Sequence, residues 1–367
     1  MLYGLPESIS EYYIAKNEQN KYAIFYKDNP KEPISGWWNE ILENGLVNNE
    51  SGYYVVRNEQ FKYAIFHLDN PDKPVSQWWW KMYWEGLTQG KTDYYIAVED
   101  DQFAIFHKDN ATNPISNWYD RIYKYGLAQG DSDYYIAFRE GRGEAIFHKD
   151  NKNQPISQWW DYIVGIYGLV KGQSNYYIAR SQSEQCAIFH KDNEEPLSGW
   201  HIDICPIGLV NGTSQYYAVV EPYSSLIQVY CNDDMFYPLY EVPKRDMHPS
   251  DIGSILYINS DSLIYVKNGN LMIYDALAKK SDILFTFSND VVQLMRKEYE
   301  IHKHDTSRLI ARYVYDGFMP IVINNQCYLY TTYGNLVGKF RQITQAEDYM
   351  QSEIMKKNKN ADMIRLY

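Results

Sequence analysis

Apolar and polar residues follow one another in short blocks along this chain, and the blocks return in a fixed order. In residues 94–110, Tyr94-Tyr95-Ile96-Ala97 gives way to a polar stretch, then to Phe103-Ala104-Ile105-Phe106 and His107-Lys108-Asp109-Asn110. Two aromatic and β-branched runs joined by a few polar residues predict a hairpin, with strands over Tyr94–Ala97 and Phe103–Lys108. Asp-Asn at the end of the second run favours a turn, because short Asx side chains hydrogen-bond the nearby backbone. The proline that follows has no N–H for a ladder and supports a break there. The next block is ambiguous. In the stretch from Pro155 to Leu169, Ser157 fits a helix cap, with Trp160, Ile163 and Tyr167 on one stripe and Gly168 as the stop. A third strand with a bulge fits the same residues. The short helix is the expectation taken forward, and it starts near Ser116 in the block before.

The blocks form a repeat. Tyr pairs fall at Tyr12–Tyr13, Tyr53–Tyr54, Tyr94–Tyr95, Tyr134–Tyr135, Tyr176–Tyr177 and Tyr216–Tyr217, in steps of 41, 41, 40, 42 and 40 residues. Gly-Leu keeps the same register at Gly45, Gly86, Gly126, Gly168 and Gly208, with Gly4-Leu5 ahead of them. AIF(H/Y)xDN starts at Ala23, Ala64, Ala104, Ala145 and Ala187, and P(I/V/L)SxW at Pro33, Pro74, Pro114, Pro155 and Pro196. A period of this size means a propeller, a solenoid or an array, whose units are too small to bury a core alone and must stack. A sixth unit starts at Tyr216 and decays: Ile227 to Asp234 still echoes the second strand, Pro238-Leu239 echoes Pro-Ile, and no Trp follows. That ending favours an open solenoid over a closed propeller.

The pattern is lost after about residue 245. Alternating apolar residues around Asn268-Gly269 predict a hairpin, and Ile321 to Tyr333 predicts another around Asn324-Asn325. Residues 289–301 mix apolar and charged positions at helical spacing, and the Lys-rich tail from Gln345 to Tyr367 reads as a terminal helix. The expected architecture is therefore mainly β with short helices. Hairpin-plus-helix repeats span residues 1–244, and a smaller α+β domain spans 245–367.

At AIFHKDN, PISxWWDxI and GLV the unit resembles the bacterial WG-repeat (KWG) family over residues 4 to about 240. That family's repeats also run through a strand, a Val-Ile-Pro step, an aromatic-acidic patch and a Gly-Leu-Ala ending. Here Tyr-Ala or Phe-Ala stands in place of the family's Trp-Gly pair, and the unit is several residues longer. The resemblance implies a β-rich array used for protein contacts and no catalytic residues.

Composition narrows the function. The chain has 37 Tyr and 10 Trp, and 35 Lys+Arg against 47 Asp+Glu give a net charge of −12. Such acidity disfavours nucleic acid, which needs clustered cations, and fits a basic partner. Cys186, Cys205, Cys231 and Cys327 lie far apart without a CxxC pair and read as reduced thiols. The segment MLYGLPESIS has neither a basic region nor an apolar core, and no run is long enough to span a membrane. The expected location is a bacterial cytoplasm.

The candidate chemistry is repetitive as well. His67/Asp69, His107/Asp109, His148/Asp150 and His190/Asp192 place i and i+2 on one strand face, as a metal site would. Tyr26 replaces His in the first unit, so turn support and packing are expected instead. His302, His304 and Asp305 read as a solvated helix end. No GxSxG, GxxxxGK(S/T), HExxH or GxGxxG is present, and no catalytic residue, cofactor or metal is expected. Adjacent aromatics point to binding. Trp37, Trp78, Trp118 and Trp159 are the expected exposed row, with Trp38, Trp79, Tyr119 and Trp160 buried between units on the stripe of Ile41, Met82, Ile122 and Ile163. Tyr13, Tyr54, Tyr95, Tyr135 and Tyr177 are expected to form a second exposed ladder. The resulting reading is a non-enzymatic repeat protein for protein–protein recognition, in which an inhibitory role against a basic toxin or nuclease fits the charge. A repeat lectin presenting Trp and Tyr to a sugar is the alternative. Catalysis in the C-terminal domain, with the repeats as a targeting arm, is the second.

Overall fold

Every apolar run read as a strand finds an antiparallel partner, and the pairing explains the spacing of the motif. The computed structural model describes residues 10–42, 44–221, 226–235, 237–243, 255–267, 270–286, 318–323, 326–331, 336–341, 345–346, 349–350 and 352. They fall into two compact units, one within residues 1–182 and 190–195, the other within 183–189 and 196–367. The described residues are mainly β, in small antiparallel sheets of three or four strands.

In the first unit Tyr94–Glu99 pairs with Gln102–His107, placing Tyr95 opposite Phe106, Ile96 opposite Ile105 and Ala97 opposite Ala104. The same register joins Tyr53–Arg57 to Tyr63–His67 and Tyr134–Arg139 to Gly143–His148. A third strand comes from the preceding repeat: Glu40–Ile41 pairs with Tyr53–Arg57, Lys81–Tyr83 with Tyr94–Glu99, and Arg121–Ile122 with Tyr134–Arg139. Just upstream, Trp79 bridges Tyr63 and Tyr119 bridges Phe103 on their own sheets. The segment from the serine to the isoleucine therefore steps from the edge of one sheet to the edge of the next.

No helix starts at Ser116. Its hydroxyl accepts the Ile105 N–H at 2.9 Å and donates to the Asn117 carbonyl at 2.9 Å. Ser76 and Ser157 treat Ile65 and Ile146 in the same way. The Ile115 N–H meets the Ile105 carbonyl at 2.8 Å, the chain bends there, and it pairs again at Tyr119 and Arg121–Ile122, so the third-strand reading is nearer the structure. The helical turns sit at the Gly-Leu marker instead, as 3-10 turns over Gly45–Asn48, Gly126–Gln129 and Gly168–Lys171 and a single α-turn over Glu85–Thr88. Gly126 starts its turn at φ +73°, where a Cβ would lie 2.2 Å from the Tyr134 carbonyl oxygen. The glycine read as a helix stop is thus a helix start that only glycine fits.

The core lies between successive sheets. Val55 and Ile65 of one sheet pack with Trp79, Met82, Leu87, Tyr95, Ala97, Ala104 and Phe106. Ile96 and Ile105 then pack with Tyr135, Ala137, Ala145 and Phe147 of the sheet after. Facing alanines form a dimple between a Tyr and a Phe, and the two β-branched side chains of the preceding sheet fill it. Both faces of each central strand are covered, which is why YYIA and AIF read as unbroken apolar runs.

In the second unit, the sixth repeat keeps its hairpin. Asp203–Ile204, Tyr216–Val220, Ile227–Cys231 and Tyr240–Val242 form one four-stranded sheet. Ile255–Ile258, Ser262–Lys267, Asn270–Asp275 and Lys280–Thr286 form another, and Phe318–Ile323, Gln326–Thr331 and Leu336–Phe340 form a sheet of three. Both hairpins expected in this region are therefore paired. Their tips at Asn268-Gly269 and Asn324-Asn325 lie outside the described residues, as do residues 289–301 with His302, His304 and Asp305. Of the tail, positions 345, 346, 349, 350 and 352 are helical, and Met350 packs on Leu329.

Candidate functional site

Five tryptophans hold one position of the repeat. Trp37, Trp78, Trp118, Trp159 and Trp200 stand edge-on to Phe25, Phe66, Phe106, Phe147 and Phe189 of their own second strands, with ring centroids 5.9 to 6.1 Å apart and planes at 63° to 69°. Edge-to-face geometry is the arrangement that the ring quadrupoles favour. Trp37 is 41% exposed, and the other four are half-buried. The second ring of each pair reaches into the next repeat: Trp38 meets Phe66 and Trp78, Trp79 meets Phe106 and Trp118, and Tyr119 meets Phe147 and Trp159. Trp79 and Tyr119 are buried as expected, whereas Trp38 is half-buried and Trp159 and Trp160 are half-buried alike. The most exposed tryptophan lies outside the expected row. Trp80 is 62% exposed, with the Lys62 ammonium 5.3 Å from its ring centre.

The tyrosine ladder requires correction. Tyr54, Tyr95, Tyr135 and Tyr177 are buried, and only Tyr13 of the expected set is half-buried. Tyr54, Tyr95 and Tyr135 lie flat against Phe66, Phe106 and Phe147 at 5.5 to 5.7 Å. The alternation along the strand holds, but neighbouring sheets cover both faces, so the second tyrosine is core. Burial pushes these hydroxyls well above their ordinary pKa. The half-buried member is the first tyrosine. Tyr53, Tyr94, Tyr134 and Tyr176 meet His67, His107, His148 and His190 edge-on.

Each of these histidines has its Nδ1 accepting the N–H of Asp69, Asp109, Asp150 or Asp192 at 3.2 to 3.3 Å. The HxD pairs thus hold a turn and support a tyrosine ring. Tyr26, the replacement in the first repeat, packs on Tyr12 at 5.5 Å. Among the described residues no group of three or more His, Cys, Asp or Glu is arranged to hold a metal ion.

Two repeating contacts escaped the sequence reading. Lys108 binds Asp93 and Lys149 binds Asp133, both at 2.9 Å, and the carboxylate in each case holds the ammonium above its usual pKa. The signal was an Asp just before the Tyr pair and a Lys just after the His. In addition, the Thr92 hydroxyl donates to the Leu127 carbonyl and the Ser132 hydroxyl to the Val170 carbonyl, at 2.9 and 2.7 Å, linking consecutive repeats.

Two polar groups take aromatic places. Glu144 is buried where other repeats carry Tyr63 or Phe103; it accepts from the Tyr123 hydroxyl and from the Ile163 N–H at 2.8 Å, and Arg121 lies 3.6 Å away. Burial raises its carboxyl pKa against these three partners. His201, in the second unit, takes the place of Trp79, and its Nδ1 lies 2.7 Å from Glu221. Burial lowers its pKa, opposed by the Glu221 charge.

No protein-family model matches the chain, and no curated protein matches it. Solved structures similar to it include a eukaryotic initiation factor, at TM-score 0.41 and 11% identity over 90% of this chain and 86% of that one. Hsv2 of Kluyveromyces lactis gives 0.36 and 11% over 79% and 96%, and BamB of Moraxella catarrhalis gives 0.35 and 5% over 79% and 85%. At these scores the likenesses fix neither fold nor function.

Proposed function

We propose that this chain is a non-enzymatic repeat protein that recognises a protein partner through the row Trp37, Trp78, Trp118 and Trp159. The observation that carries the reading is the uniform setting of these rings, each edge-on to its own Phe and each left partly open to solvent at every period. Tryptophan leads among hot-spot residues, and contacts at fixed spacing add up along an array. The net charge of −12 favours a partner of opposite overall charge. Cys186, Cys205, Cys231 and Cys327 are not joined in disulfides, which suits a reducing cytoplasm. The open-solenoid reading continues to rest on the sixth repeat, which lacks the tryptophan.

The test is capture of partners by the full chain from the lysate of its source, compared with a Trp37→Ala/Trp118→Ala variant. Loss of the captured protein with the fold retained supports the reading, and each hot-spot ring is expected to weaken binding by about 2 kcal/mol. Unchanged capture by the folded variant overturns it. A glycan array run beside it separates the lectin alternative, which predicts saturable sugar binding lost in the same variant.

A further inference from the structure

The second repeat carries large apolar rings in two places where the repeats on either side of it are polar. One is the tip of its hairpin. Asn20, Phe61, Asp101 and Glu184 take the same place in four of the hairpins, at φ +60° to +62°. The first two of these turns are alike: Asn17 Oδ1 accepts the N–H groups of Gln19 and Lys21, and Asn58 Oδ1 those of Gln60 and Lys62, all at 3.0 Å. Asn visits this left-handed region readily, whereas a bulky residue is strained there. Phe61 is nevertheless 61% exposed, so burial does little to offset that strain. The other place is Trp80, equally exposed, where the first and third repeats have Asn39 and Asp120.

Cations gather about these rings. The Tyr63–Trp79 bridge sets Lys62 opposite Trp80, and the Arg57 guanidinium lies 5.4 Å from the Phe61 ring centre. Lys81 follows Trp80 in the chain and stands 5.7 Å from the ring centres of both Tyr83 and Phe103. Glu40 is taken by Arg57 and Glu59 by Lys21. Lys62 and Lys81 make no ion pair among the described residues. A chain of net charge −12 thus sets two cations without a counter-charge beside two exposed rings.

We propose that this end of the second repeat receives an acidic segment of the protein partner, whose apolar side chains pack on Phe61 and Trp80 while its carboxylates face Lys62 and Lys81. The proposal rests on the reading of the chain as a protein-binding array and adds to it a contact of opposite sign. Screening limits exposed charges to a reach of about 8 Å at physiological ionic strength, so a short acidic segment meets the local cations. A polyphosphate strand or an anionic membrane extends beyond them over an acidic chain, and neither fits as well.

The test titrates the full chain with a dye-labelled pentapeptide of alternating glutamate and leucine, read by anisotropy. The Trp80 indole N–H, assigned by NMR with Trp80→Asn, locates the site. Saturable binding that shifts this signal is expected, and none with glutamine in place of glutamate. Phe61→Asn/Trp80→Asn, which copies the first repeat, is expected to weaken binding at least tenfold without lowering the melting temperature. Equal binding of the glutamine peptide, undiminished binding in the double variant, or none at millimolar peptide each overturns the proposal. A lower melting temperature in the variant also overturns it, by showing that the rings are kept for packing. So does binding to anionic lipid vesicles in place of the peptide. The Trp37→Ala/Trp118→Ala variant is expected to bind the peptide as the parent does, so failure here is distinct from failure of the tryptophan row.

Discussion

The second and fourth repeats share one backbone register, and one place within it is filled by opposite chemistry. Tyr63 in the second and Glu144 in the fourth bridge the backbones of Trp79 and Trp160 in the same manner. Around Tyr63 stand the Trp84 ring at 5.5 Å and the Arg57 guanidinium at 5.8 Å. Around Glu144 stand the Tyr123 hydroxyl, the Ile163 N–H and Arg121. The ladder fixes where the side chain sits, and the neighbours decide which chemistry is satisfied there. An aromatic needs only surface, whereas a buried carboxylate needs donors for both oxygens.

The strongest way to break the comparison is to remove what the two repeats share. Ile65→Ala empties the dimple above Tyr95, Ala97, Ala104 and Phe106, and a loss of about 2–5 kcal/mol is expected, read as a lower urea midpoint. Next comes the place where they differ. Glu144→Ala strands the buried Ile163 N–H, at about 1–3 kcal/mol, and removes the acceptor of the half-buried Tyr123 hydroxyl. Tyr63→Ala strands no such donor and is expected to cost less; equal losses in the two variants would show that polarity is not the difference between the repeats. Ser76→Ala and Ser157→Ala each remove the acceptor of a buried isoleucine N–H, and about 1–2 kcal/mol is expected in both, with equal melting shifts confirming a common role.

The smallest effect is on pH. Burial holds the folded Glu144 pKa above its unfolded value near 4.5, so the folded state takes up the proton first as pH falls toward 4.5. This group therefore adds stability on acidification within that window, and Glu144→Gln is expected to remove that gain from a melting profile against pH. His201 acts the other way. Its folded pKa lies below 6.5, so the stability it contributes is complete above pH 6.5 and is lost as pH falls from there through the folded value. His201→Phe is expected to flatten the profile just below pH 6.5.

The hairpins were legible because their information is local. The strand expected over Tyr94–Ala97 lies within Tyr94–Glu99, and the one over Phe103–Lys108 nearly coincides with Gln102–His107. The segment after Ser116 was not legible. A serine before an apolar stripe fits a cap, and its actual partner is an N–H eleven residues upstream on another strand. The tyrosines failed for a related reason. Alternation shows which side chains share a face, but not whether a neighbouring sheet covers that face. Within the tryptophan pairs the buried position came out at Trp79 and Tyr119, although the chain there is extended and the helical stripe invoked for it does not exist.

The borrowed strand also bears on how the molecule is made. Arg121–Ile122 leaves the ribosome before its partner Tyr134–Arg139, and Lys81–Tyr83 before Tyr94–Glu99. Each finished sheet therefore hands forward a waiting edge a dozen residues ahead of the hairpin that will dock on it, close enough that loop closure costs little. Synthesis from the N-terminus then works as a zipper. In the second to fourth repeats the new hairpin meets an edge strand already made, and none of the described sheets takes its edge strand from a distant part of the chain.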